Sequence, residues 1–230
     1  MLTLDQVKSK SAARLDGLHP VLLAVTNELI QRSYAKGVPI LITQGMRTIA
    51  EQNALYAQGR SKPGPIVTNA RGGTSYHNYG LAVDFALLLP DGNAVSWDIN
   101  RDGEKDKTAD WSEVVEEAKK LGFEWGGDWT SFKDYPHLQM TFGLSIDELR
   151  AGKHPSAQQI NEVLSRLSGG DDKGNKDLKV TITLNGQKLT EGVVDEGITY
   201  VPVRILAEAL GATVTYDPGS KTVDIVFLNK

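Results

Sequence analysis

The 230-residue chain contains no cysteine. That absence excludes disulfides, thiolate nucleophiles and cysteine-ligated zinc together, so a bound metal must be held by histidine and carboxylate; it leaves the redox compartment open. Histidine is itself scarce, with four in the chain. No run of eighteen apolar residues occurs, which argues against a transmembrane helix. The opening MLTLDQVKSKSAARLDG lacks the apolar core of a secretory signal, so the chain is expected to be made without one and not to insert into a membrane. Long Lys/Arg blocks are also missing and the net charge is -4, which gives no electrostatic reason to expect nucleic acid. A hydrophobic content of 40% with 23% charged residues is that of a globular protein of one or two domains.

The pattern predicts mixed helices and short strands. Thr3 with Gln6, Thr48 with Glu51, and Ser145 with Glu148 have the spacing of capping boxes that open helices. Pro20 to Lys36 is a packed helix closed by Gly37, and Pro39 to Thr43 a buried strand. Arg47 then sits at a strand-to-helix junction. Arg60 to Thr74 is a loop leading into a strand from Gly80 to Leu89, where Leu81, Val83, Phe85 and Leu87 share one face, Ala82 and Asp84 the other. Asp110 and Glu113 are expected to cap a helix ending at Gly122, followed by short strands at Phe123 to Trp125 and His137 to Met140.

Two clusters carry chemistry. SYHNYGLAVD, Ser75 to Asp84, places an imidazole and a carboxylate seven residues apart, with the carboxylate inside an apolar run where it needs a partner. DYPH, Asp134 to His137, supplies one. His77, Asp84 and His137 make a zinc donor set with a fourth position open; the residues alone equally allow two hydrogen-bonded histidines. Asp134 can serve as general base or be an exposed loop carboxylate. Arg47 can anchor a substrate carboxylate or scissile carbonyl, or pair with a neighbouring Glu. Ser75 either donates to substrate or closes its loop, and Trp125 and Trp129 either wall a cleft or belong to the core.

Over residues 1 to 150, S-x-H-x-x-G-x-A-V-D, D-Y-P-H and the upstream Gln44-Gly45-Met46-Arg47-Thr48 resemble the LAS group of carboxypeptidase-like zinc peptidases, and within it the L-alanyl-D-glutamate endopeptidases of phage endolysins and their bacterial relatives. The resemblance implies an α+β fold with a small central antiparallel sheet flanked by helices. It implies zinc on His77, Asp84 and His137, Asp134 as base, and Arg47, Ser75 and Trp129 toward substrate. Cleavage of peptidoglycan stem peptides follows, most simply by an endolysin reaching the wall from the host cytoplasm after release. D,D- or L,D-carboxypeptidase activity, or a non-catalytic wall-binding zinc protein, are the competing readings. A monomer is the expectation.

Asp98 to Asp106 (DINRDGEKD) is a partial match to a calcium loop, with Asp98, Asn100, Asp102 and Asp106 as candidate ligands and Ala109 where a bidentate Glu belongs. The alternative is a solvated acidic turn. SGGDDKGNKD has linker composition, so the domains are expected as 1–152 catalytic, 153–177 helix and linker, and 178–230 a smaller α+β module. Asn185-Gly186 marks a hairpin there, Pro202 to Leu210 a short helix, and YDPGSKTVDIVF a second strand-turn-strand. Its Y-V-P-V-R and L-G-A-T-V-x-Y-D segments resemble the N-terminal-region domain of copper amine oxidases. That company suggests cell-wall attachment, with a stabilising or dimerising appendage as the alternative.

Overall fold

The computed structural model describes residues 2–167, 179–195, 198–201, 203–217 and 222–227. The chain divides into two compact units, Met1–Gly170 and Asp171–Lys230. The expected linker at 168–177, Pro202 and the turn at 218–221 lie outside the described residues.

In the first unit, α1 (Leu4–Leu15), α2 (Pro20–Ala35), α3 (Ile49–Ala57), α4 (Asp110–Lys120), α5 (Ile146–Arg150) and α6 (Ala157–Leu167) accompany one antiparallel sheet. Its strands are β1 (Ile40–Gln44), β2 (Ala82–Leu88), β3 (Val95–Ser96), β4 (Glu124–Trp125) and β5 (His137–Gln139). The order is β1-β2-β5-β4, and β3 pairs with the far end of β2 at Leu87 and Leu88. The three capping boxes form as the sequence predicts, each with the cap hydroxyl accepting a backbone N–H and the N3 side chain reaching back. Each such cap stabilises its helix by about 1 kcal/mol.

Both faces of β2 are buried: Ala82, Ala86 and Leu88 are as covered as Val83, Phe85 and Leu87. One local expectation is corrected: Asp110 does not cap α4, whose N-cap is Ala109 with no side-chain bond. The Asp110 carboxylate instead accepts the Gly103 N–H at 2.7 Å and pairs with Arg101 at 3.3 Å, bracing the loop before the helix. The helix expected between the domains, α6, packs on α2 and puts Val163 into the first unit's core. There Phe85 and Trp111 meet at 4.6 Å between ring centres among Leu22, Leu29, Ile40 and Leu138.

The second unit, taken by itself, has a three-stranded antiparallel sheet of β6 (Lys179–Leu184), β7 (Gln187–Asp195) and β8 (Ile198–Tyr200). It also has α7 (Val203–Ala209) and a hairpin of β9 (Ala212–Asp217) and β10 (Thr222–Phe227). Asn185 and Gly186 turn the first hairpin with φ of 52° and 79°, the left-handed pair that Asn-Gly supplies. β8 had no distinct sequence signal.

Candidate metal centre

Three chain segments converge where the sheet ends. β1 and β2 shift register between Ile42 and Gln44, and the irregularity lets Gly45 to Arg47 leave the sheet beside Asp84. A 3-10 turn, Tyr76–Tyr79, carries His77. It ends on Gly80 at φ 65°, where a Cβ would lie 2.6 Å from the Gly17 carbonyl oxygen, so only glycine returns the chain into β2. The two segments are laced together: Arg47 N donates to His77 O at 3.0 Å, and Asn78 Nδ2 to Arg47 O at 2.9 Å.

The third segment is DYPH. Both Trp111 Nε1 and Trp125 Nε1 donate to the Tyr135 carbonyl, at 3.3 and 2.7 Å, and Asp134 N donates to Gly126 O at 3.1 Å. Cross-strand pairing then sets Asp84 directly opposite His137. Trp125 is therefore a brace for the turn, whereas the Trp129 ring lies 5.1 Å from the His137 ring.

These constraints produce a triangle. His77 Nε2 lies 3.3 Å from Asp84 Oδ1 and 3.2 Å from His137 Nδ1, and His137 Nδ1 lies 3.2 Å from Asp84 Oδ1. The outward partners fix what each atom offers. His77 Nδ1 faces the Gly45 carbonyl at 2.8 Å and must donate to it, which leaves Nε2 a lone pair. His137 Nε2 donates to Gln139 Oε1 at 3.0 Å, which leaves Nδ1 a lone pair. Two imidazole lone pairs and a carboxylate oxygen facing one another require a proton or a cation between them.

A tetrahedral cation about 2.0–2.1 Å from each ligand separates them by roughly 3.3 Å, the size of this triangle. His77 and His137 are both buried, and among the described residues these three form the one group of His, Cys, Asp or Glu with donor atoms close enough to share a metal. Burial by itself would raise the Asp84 pKa; the charge and hydrogen bonds of His77 and His137, in the form where a proton rather than a cation lies within the triangle, hold it far below the usual carboxylate range. His137 shows the converse: burial lowers it, and the bond to Asp84 outweighs that and raises it.

Arg47 is turned inward. Its Nη2 donates to Asp84 Oδ2 at 2.9 Å and its Nη1 to the buried Gln52 at 2.9 Å, while Nε is buried without a partner. Gln52 in turn donates to the Ala70 carbonyl and so pins the loop before Ser75. Ser75 precedes the 3-10 turn and makes no capping bond with its side chain. Asp134 is half-buried beside the triangle; desolvation and then the Asp84 charge raise its pKa, against the pull of His137, His77 and Arg47.

The acidic loop is not brought together in this way. Asp98, Asp102 and Asp106 accept backbone N–H groups of their own turn, from Asn100, from Asp106 and Lys107, and from Thr108. Those carboxylates do not converge as a metal-holding group. Gly45, Gln52, Glu124, Gly126 and Gln139 were not singled out by sequence reasoning as individual contributors to the site. A carbonyl acceptor, an amide and a missing Cβ carry no recognisable spacing.

An α+β sheet presenting a buried His-Asp-His triangle beside a raised carboxylate defines a metal-dependent hydrolase site. Residues 68–140, which carry the triangle and Asp134, match the peptidase M15 family described as D-alanyl-D-alanine carboxypeptidase. Over 123 residues the chain is 56% identical to the peptidoglycan L-alanyl-D-glutamate endopeptidase CwlK of Bacillus subtilis (strain 168), covering 54% of this chain and 73% of that protein. The chain belongs to the M15 peptidase family. It is also 34% identical over 149 residues to the L-alanyl-D-glutamate peptidase of Listeria phage A118, covering 64% of this chain and 47% of that one. Among solved structures it is similar to the Serratia marcescens L-Ala D-Glu endopeptidase ChiX, at 31% identity and a TM-score of 0.42, covering 59% of this chain and 89% of that one. Residues 178–229 match the copper amine oxidase N-terminal domain.

Proposed function

We propose that this protein is a zinc-dependent endopeptidase that hydrolyses the L-alanyl-D-glutamate bond of peptidoglycan stem peptides. The observation that carries the reading is the triangle of His77 Nε2, Asp84 Oδ1 and His137 Nδ1, with both tautomers set by outward partners, in a chain so close to CwlK. Two nitrogens and one oxygen without sulfur suit zinc in the arrangement of a catalytic site. Bound there, zinc supplies Lewis acidity toward the scissile carbonyl at neutral pH.

The chain's own residues supply the rest. Asp134, half-buried beside the triangle, takes the proton of the attacking water on a carboxylate oxygen and returns it to the leaving amine nitrogen as the C–N bond breaks. Arg47 holds Asp84 Oδ2, which keeps Oδ1 aimed into the triangle, and its guanidinium charge beside the site is read as the anchor for a substrate oxygen. Ser75 and Trp129 contact the stem peptide, Trp129 as an apolar wall beside His137. Calcium at Asp98, Asn100, Asp102 and Asp106 gains no support from the loop's geometry.

The protein acts on bacterial cell wall, and the copper-amine-oxidase-like unit is read as its wall-attachment module. None of the described helices is long and apolar enough to cross a membrane. The family's description favours one second reading, a carboxypeptidase. Digestion of muropeptides with and without chelator separates the two. New N-terminal D-glutamate that disappears with chelation supports the endopeptidase; released terminal D-alanine supports the carboxypeptidase; wall binding without cleavage would sink both. Loss of wall pull-down on truncation after residue 170 tests the module.

A further inference from the structure

A second polar layer stands behind His137. β5 places Gln139 two residues on, on the same face, and pairs it directly with Glu124 of β4. Gln139 Nε2 donates to Glu124 Oε2 at 2.9 Å, and Thr141 Oγ1 donates to Glu124 Oε1 at 2.6 Å. A carboxylate only accepts, so Glu124 dictates which way the Gln139 amide faces: NH₂ toward Glu124, Oε1 toward His137. Oε1 also only accepts, so the His137 proton is forced onto Nε2. The lone pair is thereby forced onto Nδ1, the atom that faces Asp84 and His77.

Without this relay nothing at Nε2 would select the tautomer. The alternative form, with the proton on Nδ1, donates to Asp84 Oδ1 at the same 3.2 Å and closes the triangle to a cation. The environment inside the site therefore favours the wrong tautomer, and the correction comes from outside it. His77 is corrected by a backbone carbonyl, which no substitution removes; His137 depends on two side chains.

We propose that Gln139, oriented by Glu124, is a positioning residue that holds His137 in its Nε2–H tautomer and so keeps the site competent for metal. This rests on His77, Asp84 and His137 being the metal ligands. Outer partners of this kind change metal affinity on the order of 10–100-fold.

The test uses the full chain. Ring-¹⁵N NMR of the metal-free protein, at a pH alkaline enough to keep the ring neutral, gives the His137 tautomer, and competition with a chromophoric chelator gives the Zn²⁺ dissociation constant. Q139L is expected to populate Nδ1–H and to weaken Zn²⁺ binding on the order of 10–100-fold. Because Gln139 is buried and Q139L can perturb folding, the exchanged pair E124Q/Q139E provides the second arm. There the carboxylate at 139 accepts from His137 Nε2–H while the amide at 124 donates to it and accepts from Thr141. Every bond is kept, so tautomer and affinity should return to within about threefold of wild type. An unchanged tautomer in Q139L, a changed tautomer with unchanged affinity, or an exchanged pair as weak as Q139L would each overturn the proposal while leaving the metal site standing. Failure of the wild type to bind Zn²⁺ would overturn the metal reading and the proposal with it.

Discussion

Gly126 offers the sharpest test of how the DYPH turn is positioned. It is buried, its carbonyl accepts from both Asp134 N and Trp129 N, and its α-carbon lies against the back of the turn. A Cβ at this position would stand 2.4 Å from the Asp134 carbonyl oxygen and 3.1 Å from the β-carbons of Asp134 and His137. In G126A the closest contact must open from 2.4 Å to at least 3.0 Å. Backbone, rather than a flexible side chain, has to retreat, and it carries Asp134 and His137, the proposed base and metal ligand, with it. Overpacking of this kind costs about 1–3 kcal/mol. For a unit of this size that corresponds to a fall of about 3–9 °C in Tm. Misplacement of catalytic groups by 1 Å costs about 100-fold, so a shift of half that predicts roughly a tenfold loss of turnover. Thermal unfolding, Zn²⁺ affinity and muropeptide cleavage of G126A measure the three effects. A variant with wild-type Tm, affinity and cleavage rate would refute the packing argument.

Other expectations follow from charge. Burial and Asp84 raise the Asp134 pKa in the metal-free protein, so its ionised form opposes folding: no penalty below the unfolded value of 3.8, and the full penalty above the raised folded value. D134N should therefore melt higher than metal-free wild type at neutral pH, match it at acid pH, and lose turnover; a lower neutral Tm contradicts the sign. Zn²⁺ should move the Asp134 carboxyl titration of wild type downward, as read by ¹³C NMR, because a nearby cation favours the carboxylate. At the start of α5, bonds from the Ser145 backbone and Lys153 lower Glu148 to about 2 from 4.5. Its contribution is present above 4.5 and lost as pH falls through about 2, so acid unfolding curves of E148Q should lack that component. R47A removes one of three partners of Asp84, leaving His77 and His137, and should destabilise the metal-free protein by about 2 kcal/mol, the scale of one hydrogen bond to a charged group. R47K should recover only part, since an ammonium cannot hold Asp84 and Gln52 with a planar fork; full recovery in urea unfolding would show that charge alone matters.

Much of the local structure was legible because its causes are local. Capping boxes at Thr3, Thr48 and Ser145 join residues three apart, and Asn185-Gly186 specifies its turn by backbone preference alone. Likewise SYHNYGLAVD and DYPH announce donor atoms of the right kind. What spacing did not show was decided by neighbours. Alternation along β2 separates two faces, and only the fold shows that both are buried. Asp110 had the sequence of a cap, yet Arg101 and the Gly103 N–H compete for its carboxylate and win. The oxygen spacing of the Asp98 to Asp106 loop likewise does not show that its carboxylates accept N–H groups of their own backbone.

By itself, then, the sequence determined the kinds of donor: without cysteine a metal is left to histidine and carboxylate, and the resemblance carried by SYHNYGLAVD and DYPH implies His77, Asp84 and His137. Tertiary structure decided that they meet and in what state. Pairing of β2 with β5 brings together residues 53 positions apart, and the Gly45 carbonyl and the Glu124–Gln139 pair decide which ring nitrogen keeps its lone pair. Spacing along a chain specifies which atoms exist; a ring tautomer depends on what lies on its far side, and that is known only once the strands are in register.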